Sequence, residues 1–418
     1  MNDEPSRYDR QADVPARFDP AWLDGCLHPV EGKDGRAAAY LSTPAVQNHA
    51  AFLERLPGGD LGLVWFGGTQ EGVSDIGIWF SRLSAGSDRW TDAIAVSDDP
   101  TRSEQNPVLF SAPGGEVWLL YTAQSAGNQD TAEVRRRIST DGARTWGEAE
   151  TLFPATEEGG IFIRQPLVVT RSGRWLLPVF HCVSRPGSAW DGGLDTSAVM
   201  ISDDHGVHWR EVAVPDSTGC VHMSIVERPD GSLHALFRSR RADAIHWSES
   251  FDDGETWTVP EATELPNNNS SLQHRTLADG RLIVVYNHSS RRDARGRRES
   301  LYDEIDEGGI RDVILPPSTD AAAAQTRLAP GEPFWGAPRA PLSVAVSSDG
   351  GRTFRVVGDL EQGDGYCLSN NSRDGVNREF SYPVLLPAPD GSVDVAYTYF
   401  RRAIKHVRLA ATWVRADA

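Results

Sequence analysis

Ser250-Phe251-Asp252-Asp253-Gly254-Glu255-Thr256-Trp257 has three relatives elsewhere in the chain: Ser139-Thr140-Asp141-Gly142-Ala143-Arg144-Thr145-Trp146, Ser202-Asp203-Asp204-His205-Gly206-Val207-His208-Trp209 and Ser347-Ser348-Asp349-Gly350-Gly351-Arg352-Thr353-Phe354. All share one frame: Ser, Asp two residues on, a Gly-bearing middle, and Thr or His before an aromatic. Each follows a short apolar or alternating run (Ala198 to Ile201, Ala244 to Trp247, Leu342 to Val346) and precedes another, which is the pattern of a hairpin turn. In such a turn the Asp carboxylate accepts backbone N–H groups, Gly takes a left-handed conformation and the aromatic packs beneath. The motif builds a fold and performs no chemistry.

A second marker is a Gly-containing hairpin between two apolar strands, at Pro57-Gly58-Gly59, Pro113-Gly114-Gly115, Ser172-Gly173, Pro229-Asp230-Gly231, Ala278-Asp279-Gly280 and Pro389-Asp390-Gly391. It marks six units. One box follows the third strand of each, in degenerate form from Ser81 to Trp90, while the last unit has a third strand (Ile404 to Thr412) and no box. Six four-stranded units predict an all-β, six-bladed β-propeller, because a closed ring leaves no open sheet edge. The last unit lacks a fourth strand, and the N-terminal strand Ala37 to Ser42 is expected to supply it and close the last blade. Residues 1–36 are then a surface arm and 37–418 one propeller domain. An insertion, 289–340, separates the second and third strands of blade five. Its basic start (Arg291, Arg292, Arg295, Arg297, Arg298) and acidic middle (Asp303, Glu304, Asp306, Glu307) suit either a lid or a solvated loop.

Composition agrees with short strands and tight turns: 39 Gly, 26 Pro and 13 Trp against 3 Met in 418 residues. The formal net charge of −18 argues against general binding to nucleic acid or a membrane surface. No run approaches the roughly 18 apolar residues of a membrane span, and the start carries no secretory pattern, so a cytoplasmic location is expected. Cys26, Cys182, Cys220 and Cys367 match no metal spacing, and His205 and His208 lie inside a box turn, so neither metal nor cofactor is expected.

With hairpins and boxes at the bottom of the ring, the starts of first strands and the ends of second strands converge at the top around the axis. First-strand starts bring Asn48 and His49, Gln105 and Asn106, Arg164 and Gln165, His222, Gln273 and His274, and Glu379 with Tyr382. Second-strand ends bring Trp65 through Glu71, Tyr121, His181, Arg238 with Arg240, Asn287 with His288, and Tyr399 with Arg401. In an acidic protein this mouth is basic and rich in aromatics. Arginine meets a carboxylate through two parallel bonds, so a carboxylated sugar is the natural guest.

The boxes are similar to the Asp-box (BNR) repeats of sialidases, and the span from about 37 to 413 resembles that superfamily. Segments such as Trp65-Phe66-Gly67-Gly68-Thr69-Gln70-Glu71-Gly72, Gln105-Asn106-Pro107-Val108, Tyr286-Asn287-His288 and Phe380-Ser381-Tyr382-Pro383 resemble its sialidase-like branch. The resemblance implies three arginines on a substrate carboxylate, a Tyr nucleophile with a Glu partner, and an Asp acid/base. It carries to Arg238 (or Arg240) and Arg339 as arginines, with Arg164 beside them, to Tyr382 as nucleophile with Glu379 nearby, and to Asp75 or Glu71 as the acid. The family's blade-one arginine is replaced by Gln47-Asn48-His49, and the Glu at the head of blade four's first strand by His222-Met223. Asn106 and Asn287 are further candidate sugar contacts, and Trp335, beside Arg339, is the candidate aromatic one. The implied activity is exo-hydrolysis of an acidic oligosaccharide. The two histidines raise a rival, β-elimination on a uronate with His or Tyr as base. A non-catalytic glycan-binding propeller is the third reading.

Overall fold

The computed structural model describes residues 18–185, 187–188, 190–296, 305–306, 309–310, 331–367 and 377–415. Six antiparallel sheets follow one another along the chain. Blade one is built from Gln47–Arg55, Leu61–Gly68, Gly77–Leu83 and Ile94–Ala95, and blade two from Ser103–Ser111, Val117–Gln124, Glu133–Ser139 and Glu150–Phe153. Blade three has a broken inner strand, Gly159–Ile163 and Val168–Val169, then Trp175–Val183, Thr196–Ser202 and Arg210–Ala213. Blade four comprises Cys220–Glu227, Leu233–Ser239, Ala244–Ser250 and Glu261–Pro266, and blade five Gln273–Thr276, Leu282–Asn287, Leu342–Ser347 and Arg355–Glu361. Blade six has Phe380–Pro387, Val393–Tyr399 and Ala403–Leu409.

The expected closure is present. Arg36–Tyr40 pairs antiparallel with Ala403–Leu409, with Ala39 opposite His406, so the first strand of the chain completes the last blade. The arm is more than a surface appendage. His28–Pro29 adds a fifth strand beyond Arg36–Tyr40, and the rings of Phe18 and Trp22 pack at 6.2 Å and 5.7 Å from Tyr40. Burying those aromatics overrides the polar composition around them. In blade five Asn287 pairs directly with Leu342, so the second and third strands are neighbours in the sheet. Arg297, Arg298, Asp303, Glu304 and Glu307, on which the lid expectation rested, fall outside the described residues.

The boxes do what their composition demands. In each, the Ser hydroxyl donates to the Asp carboxylate and accepts the N–H four residues on from itself, and the Asp accepts from the Thr or His that follows it. His208 replaces Thr in blade three through its Nδ1, 2.6 Å from Asp204. Boxes also brace the preceding blade: Ser172 Oγ of blade three's hairpin donates to Asp253 of blade four's box at 2.7 Å, and Arg82 of blade one's third strand donates to the Gly142 carbonyl of blade two's box. Hairpins and boxes therefore share one end of the ring.

The opposite end is shaped by strain. The inner strands of blades one, two, four and six each slip register once, between His49 and Phe52, Gln105 and Val108, Val221 and Ser224, and Ser381 and Val384. Every slip holds a non-glycine residue in the left-handed region: Ala50 (φ 58°), Asn106 (49°), His222 (54°) and Tyr382 (52°). Such bulges re-aim side chains, at a cost of roughly 1 kcal/mol or more each. Three of the four residues involved are polar and sit where the ring narrows.

Two expectations follow for stability. Asp349 is held near a pKa of about 2, since the modest cost of burial is outweighed by the Thr353 hydroxyl and N–H and the Ser347 hydroxyl. Asp349→Ala should cost about 1 kcal/mol in urea unfolding at neutral pH, the site being open to water. The carboxylate's contribution is present above the unfolded pKa of about 4 and disappears as pH falls through about 2, so variant and parent should converge there. Ala39→Glu places a charge in a strand position only 1% exposed. It should cost on the order of 3 kcal/mol or more and release a self-associating edge, read by unfolding and size-exclusion chromatography.

Candidate active site

Tyr382 stands at the centre of the top face, carried by the bulge of blade six's inner strand and only 6% exposed. Arg238 Nη1, from the end of blade four's second strand, donates to the Tyr382 hydroxyl at 2.6 Å. Arg164, released by the break in blade three's inner strand, donates through Nη2 to the carbonyls of Tyr382 (2.9 Å) and Ala51 (3.0 Å). The guanidinium carbons of Arg164, Arg339 and Arg238 lie 5.2, 5.5 and 5.6 Å from the centre of the Tyr382 ring. The rings of His49 and His222 are centred 4.3 Å and 5.5 Å from it. Residues from blades one, three, four, five and six thus meet around one phenol.

A second layer holds two of these cations. Glu379 is fully buried and gives one oxygen to Arg339 (2.9 Å) and the other to Arg401 (2.5 Å) and the Ser381 hydroxyl (3.1 Å). Arg401 also donates to Glu71 at 2.6 Å and approaches His49 Nε2 at 3.4 Å. Burial alone would raise the Glu379 carboxyl, but the charges of Arg339 and Arg401 outweigh it and hold it below the ordinary range. Glu379 is therefore occupied as a counter-ion for two arginines, and the phenol oxygen receives a guanidinium hydrogen bond. This differs from the expected pairing of Glu379 with Tyr382: the bulge turns the two side chains to different partners.

Among the described residues, Arg164 and Arg238 have no such compensation. Burial draws Arg164 down to about 10 and Arg238 to about 9, against the opposing pull of Tyr382. Among the described residues, Nε and Nη1 of Arg164 are buried without a hydrogen-bond acceptor, and Nδ1 of His222 is buried without a partner. His49 and His222 are both held far below the usual histidine range, first by burial and then by the surrounding arginines. Both imidazoles are neutral at physiological pH. Buried cationic donors with unused hydrogen-bonding capacity are able to receive an anion.

The remaining sequence candidates fall in three positions. Trp335 is buried near the end of the insertion, its ring 5.7 Å from the Arg238 guanidinium and 5.2 Å from that of Arg240, so it backs the cations. Asn287 donates to the Phe380 carbonyl at 2.7 Å, anchoring the strand that carries Tyr382. Asn106 occupies the corresponding bulge of blade two. Asp75 is at the rim, exposed, and caps the Thr69 N–H at 3.1 Å; Glu71 is the blade-one carboxylate tied to the centre, through Arg401.

Three contributors went unassigned in the sequence. Arg401 was visible at the end of a second strand, but its pairing with Glu71, 330 positions away, carries no local signal. Asn269 accepts from Arg238 Nε at 2.8 Å and belongs to the run Asn267-Asn268-Asn269, an amide cluster that could have been flagged. Asp195 forms a buried fork with Arg240 (2.9 and 2.7 Å) and accepts from Trp190, which separates Arg240 from Arg238: one is neutralised, the other is not.

Comparison with known proteins agrees with this architecture. The BNR repeat-like domain family matches residues 59–395. An anhydrosialidase of Macrobdella decora is 30% identical over 137 residues, covering 31% of this chain and 16% of that protein, so the match spans about a sixth of that relative's length. Among solved structures, the Hadza microbial sialidase Hz136 superimposes with a TM-score of 0.60 at 14% identity, covering 88% of this chain and 66% of that one. A Dyadobacter fermentans protein of unknown function gives 0.62 at 15%, covering 90% and 100%. The Trypanosoma rangeli sialidase gives 0.58 at 14%, covering 94% and 59%. The chain belongs to the BNR repeat-like family and shares the six-bladed β-propeller fold of these solved sialidases.

Proposed function

We propose that the protein is an exo-acting glycosidase that takes the carboxylated terminal sugar of an acidic oligosaccharide. The observation that carries this reading is the pair Arg164 and Arg238: two buried guanidinium groups beside Tyr382 that have no carboxylate partner among the described residues. A bound carboxylate would supply the acceptors that Arg164 Nε and Nη1 lack and offset the charge that burial leaves exposed to no counter-ion. Arg339, already balanced by Glu379, orients the same guest.

In this mechanism Tyr382 is the nucleophile. Arg238 Nη1 donates to its hydroxyl oxygen, and the neutral imidazoles of His49 and His222 are the neighbouring bases. The Tyr382 oxygen attacks the anomeric carbon as its proton passes to a neighbouring imidazole and the exposed Asp75 protonates the departing oxygen; Asp75, now a carboxylate, then takes a proton from the water that releases the sugar, and the imidazole returns its proton to Tyr382. Glu71 and Glu379 act through Arg401 and Arg339, keeping the cation array in place.

A second reading has its own support. Because Glu379 is committed to arginines, the groups around the phenol resemble a carboxylate clamp with neutral bases, which also suits β-elimination from a uronate.

Incubation with sialosides, other nonulosonic-acid glycosides and uronate-terminated oligosaccharides, recording released sugar and ultraviolet absorbance together, separates the readings. Hydrolysis releases sugar without a new chromophore, elimination creates one, and turnover of none of these would leave the binding-only propeller. On the active substrate, Tyr382→Phe should lower kcat/KM about a thousandfold or more, and Arg238→Ala should lower it on the order of a hundredfold. An Arg238→Ala enzyme of unchanged kcat/KM would remove that cation from the mechanism.

The histidines make a separate expectation. Their folded pKa values lie below the unfolded value of about 6.5, so the unfolded chain binds the extra protons and stability falls as pH drops below about 6.5. The ring C–H signals of His49 and His222 should not titrate between about pH 5 and 8, and kcat/KM should show no acid limb from them in that interval. NMR titration with His49→Gln and His222→Asn as assignments checks this.

A further inference from the structure

We infer that Asp24, Cys26 and His28 form a binding site for a zinc-class divalent ion at the seam where the ring closes. Each residue offers one ligand atom, a carboxylate oxygen, a thiol sulfur and an imidazole nitrogen, and these atoms lie within 4.8 Å of one another. None belongs to the top-face site. The sequence shows no metal pattern because its cysteines are scattered; the pattern appears only when alternate residues of an extended segment are seen to share one face.

The backbone that presents them is held from both sides. The Gly25 N–H donates to the Tyr40 carbonyl of the closing strand (3.0 Å), and the Gly25 carbonyl accepts from the Trp90 N–H of blade one (2.9 Å). The Leu27 N–H reaches the Asp88 carbonyl at 2.7 Å, Cys26 bridges to Arg89, and His28 pairs with Ala38. Gly25, at φ 70°, makes the turn with its α-carbon against Trp90, where a β-carbon would stand 3.2 Å from the Trp90 carbonyl. The three side chains are therefore fixed at their roots and open at their tips.

The donor set suits zinc. Sulfur, nitrogen and oxygen from three residues, with water in a fourth place, make a tetrahedral site whose donor atoms stand roughly 3.3–3.8 Å apart. Side-chain rotation alone brings the present spacing into that range, since His28 Nε2 is already 2.7 Å from Asp24 Oδ2. That contact is an exposed ion pair, 66% and 44% open, worth little by itself and readily exchanged for ligation. All three ligands lie within residues 24–28, so a bound ion would stiffen the segment that runs between the closing strand and the outer loop of blade one.

The test uses the full chain, purified without a polyhistidine tag, stripped by chelator and titrated with Co²⁺, then with Zn²⁺ in competition. We expect one equivalent of Co²⁺ with a thiolate-to-metal band in the near ultraviolet and intense visible bands of a tetrahedral ion, bleached by Zn²⁺. Cys26→Ser should abolish the ultraviolet band, His28→Ala should weaken affinity at least about tenfold, and Cys367→Ser should change neither. Zn²⁺ should raise the thermal midpoint of the parent by roughly 2–4 °C and leave Cys26→Ser unmoved. Metal-free Cys26→Ser and His28→Ala should match the parent in circular dichroism, so that a lost band reads as lost ligation. Absence of stoichiometric uptake, or uptake that survives both substitutions, overturns the site.

Discussion

Ring closure is the constraint on which the top face depends. A six-sheet wheel is held shut where Arg36–Tyr40 joins Ala403–Leu409, and that pairing sets blade six against blade one. The Asn48 N–H then donates to the Arg401 carbonyl at 2.7 Å, His49 Nδ1 meets the Thr398 hydroxyl at 2.7 Å, and Trp90 donates to His406 at 3.1 Å. The ion pairs of Arg401 with Glu71 and Glu379 cross or border the same seam. Sequence separations of more than 300 positions are bridged here without any local propensity to assist, so their loop-closure cost is met by the many edge hydrogen bonds made at once.

Around the axis the fold accepts strain and imbalance. Left-handed residues at Ala50, Asn106, His222 and Tyr382 are costly in a strand, and a buried arginine without a counter-ion is costlier still. The structure is uneven in how it treats its cations. Arg240 is matched by Asp195, and Arg339 and Arg401 share Glu379 and Glu71, whereas Arg164 and Arg238 meet carbonyls, an amide and a phenol. Local rules break around the axis, the pattern expected of a site more than of a scaffold.

Legibility in the sequence tracked the range of the interaction. The boxes and Gly hairpins are closed by hydrogen bonds within a few residues, so their count and the blade count could both be read. Convergence of Tyr382, Arg164, Arg238, Arg339, His49 and His222 was also readable, because alternating up and down strands send every first-strand start and second-strand end to the same rim. The partner of each side chain was not. Glu379 turned out to serve two arginines, Asn287 a neighbouring strand's carbonyl, Asp75 a turn N–H at the rim, and Trp335 the back of the cation array. The arm escaped because a few aromatics, Phe18 and Trp22, decide its fate against a polar average.

Periodicity by itself determined a ring of six sheets, its two ends and the residue types gathered at each, since these follow from two-residue alternation and turn chemistry. Only the tertiary structure decided which charges are balanced, which imidazoles are stripped of protons and which donors are left waiting, because pairing and dielectric depend on distances between strands that the chain order does not contain.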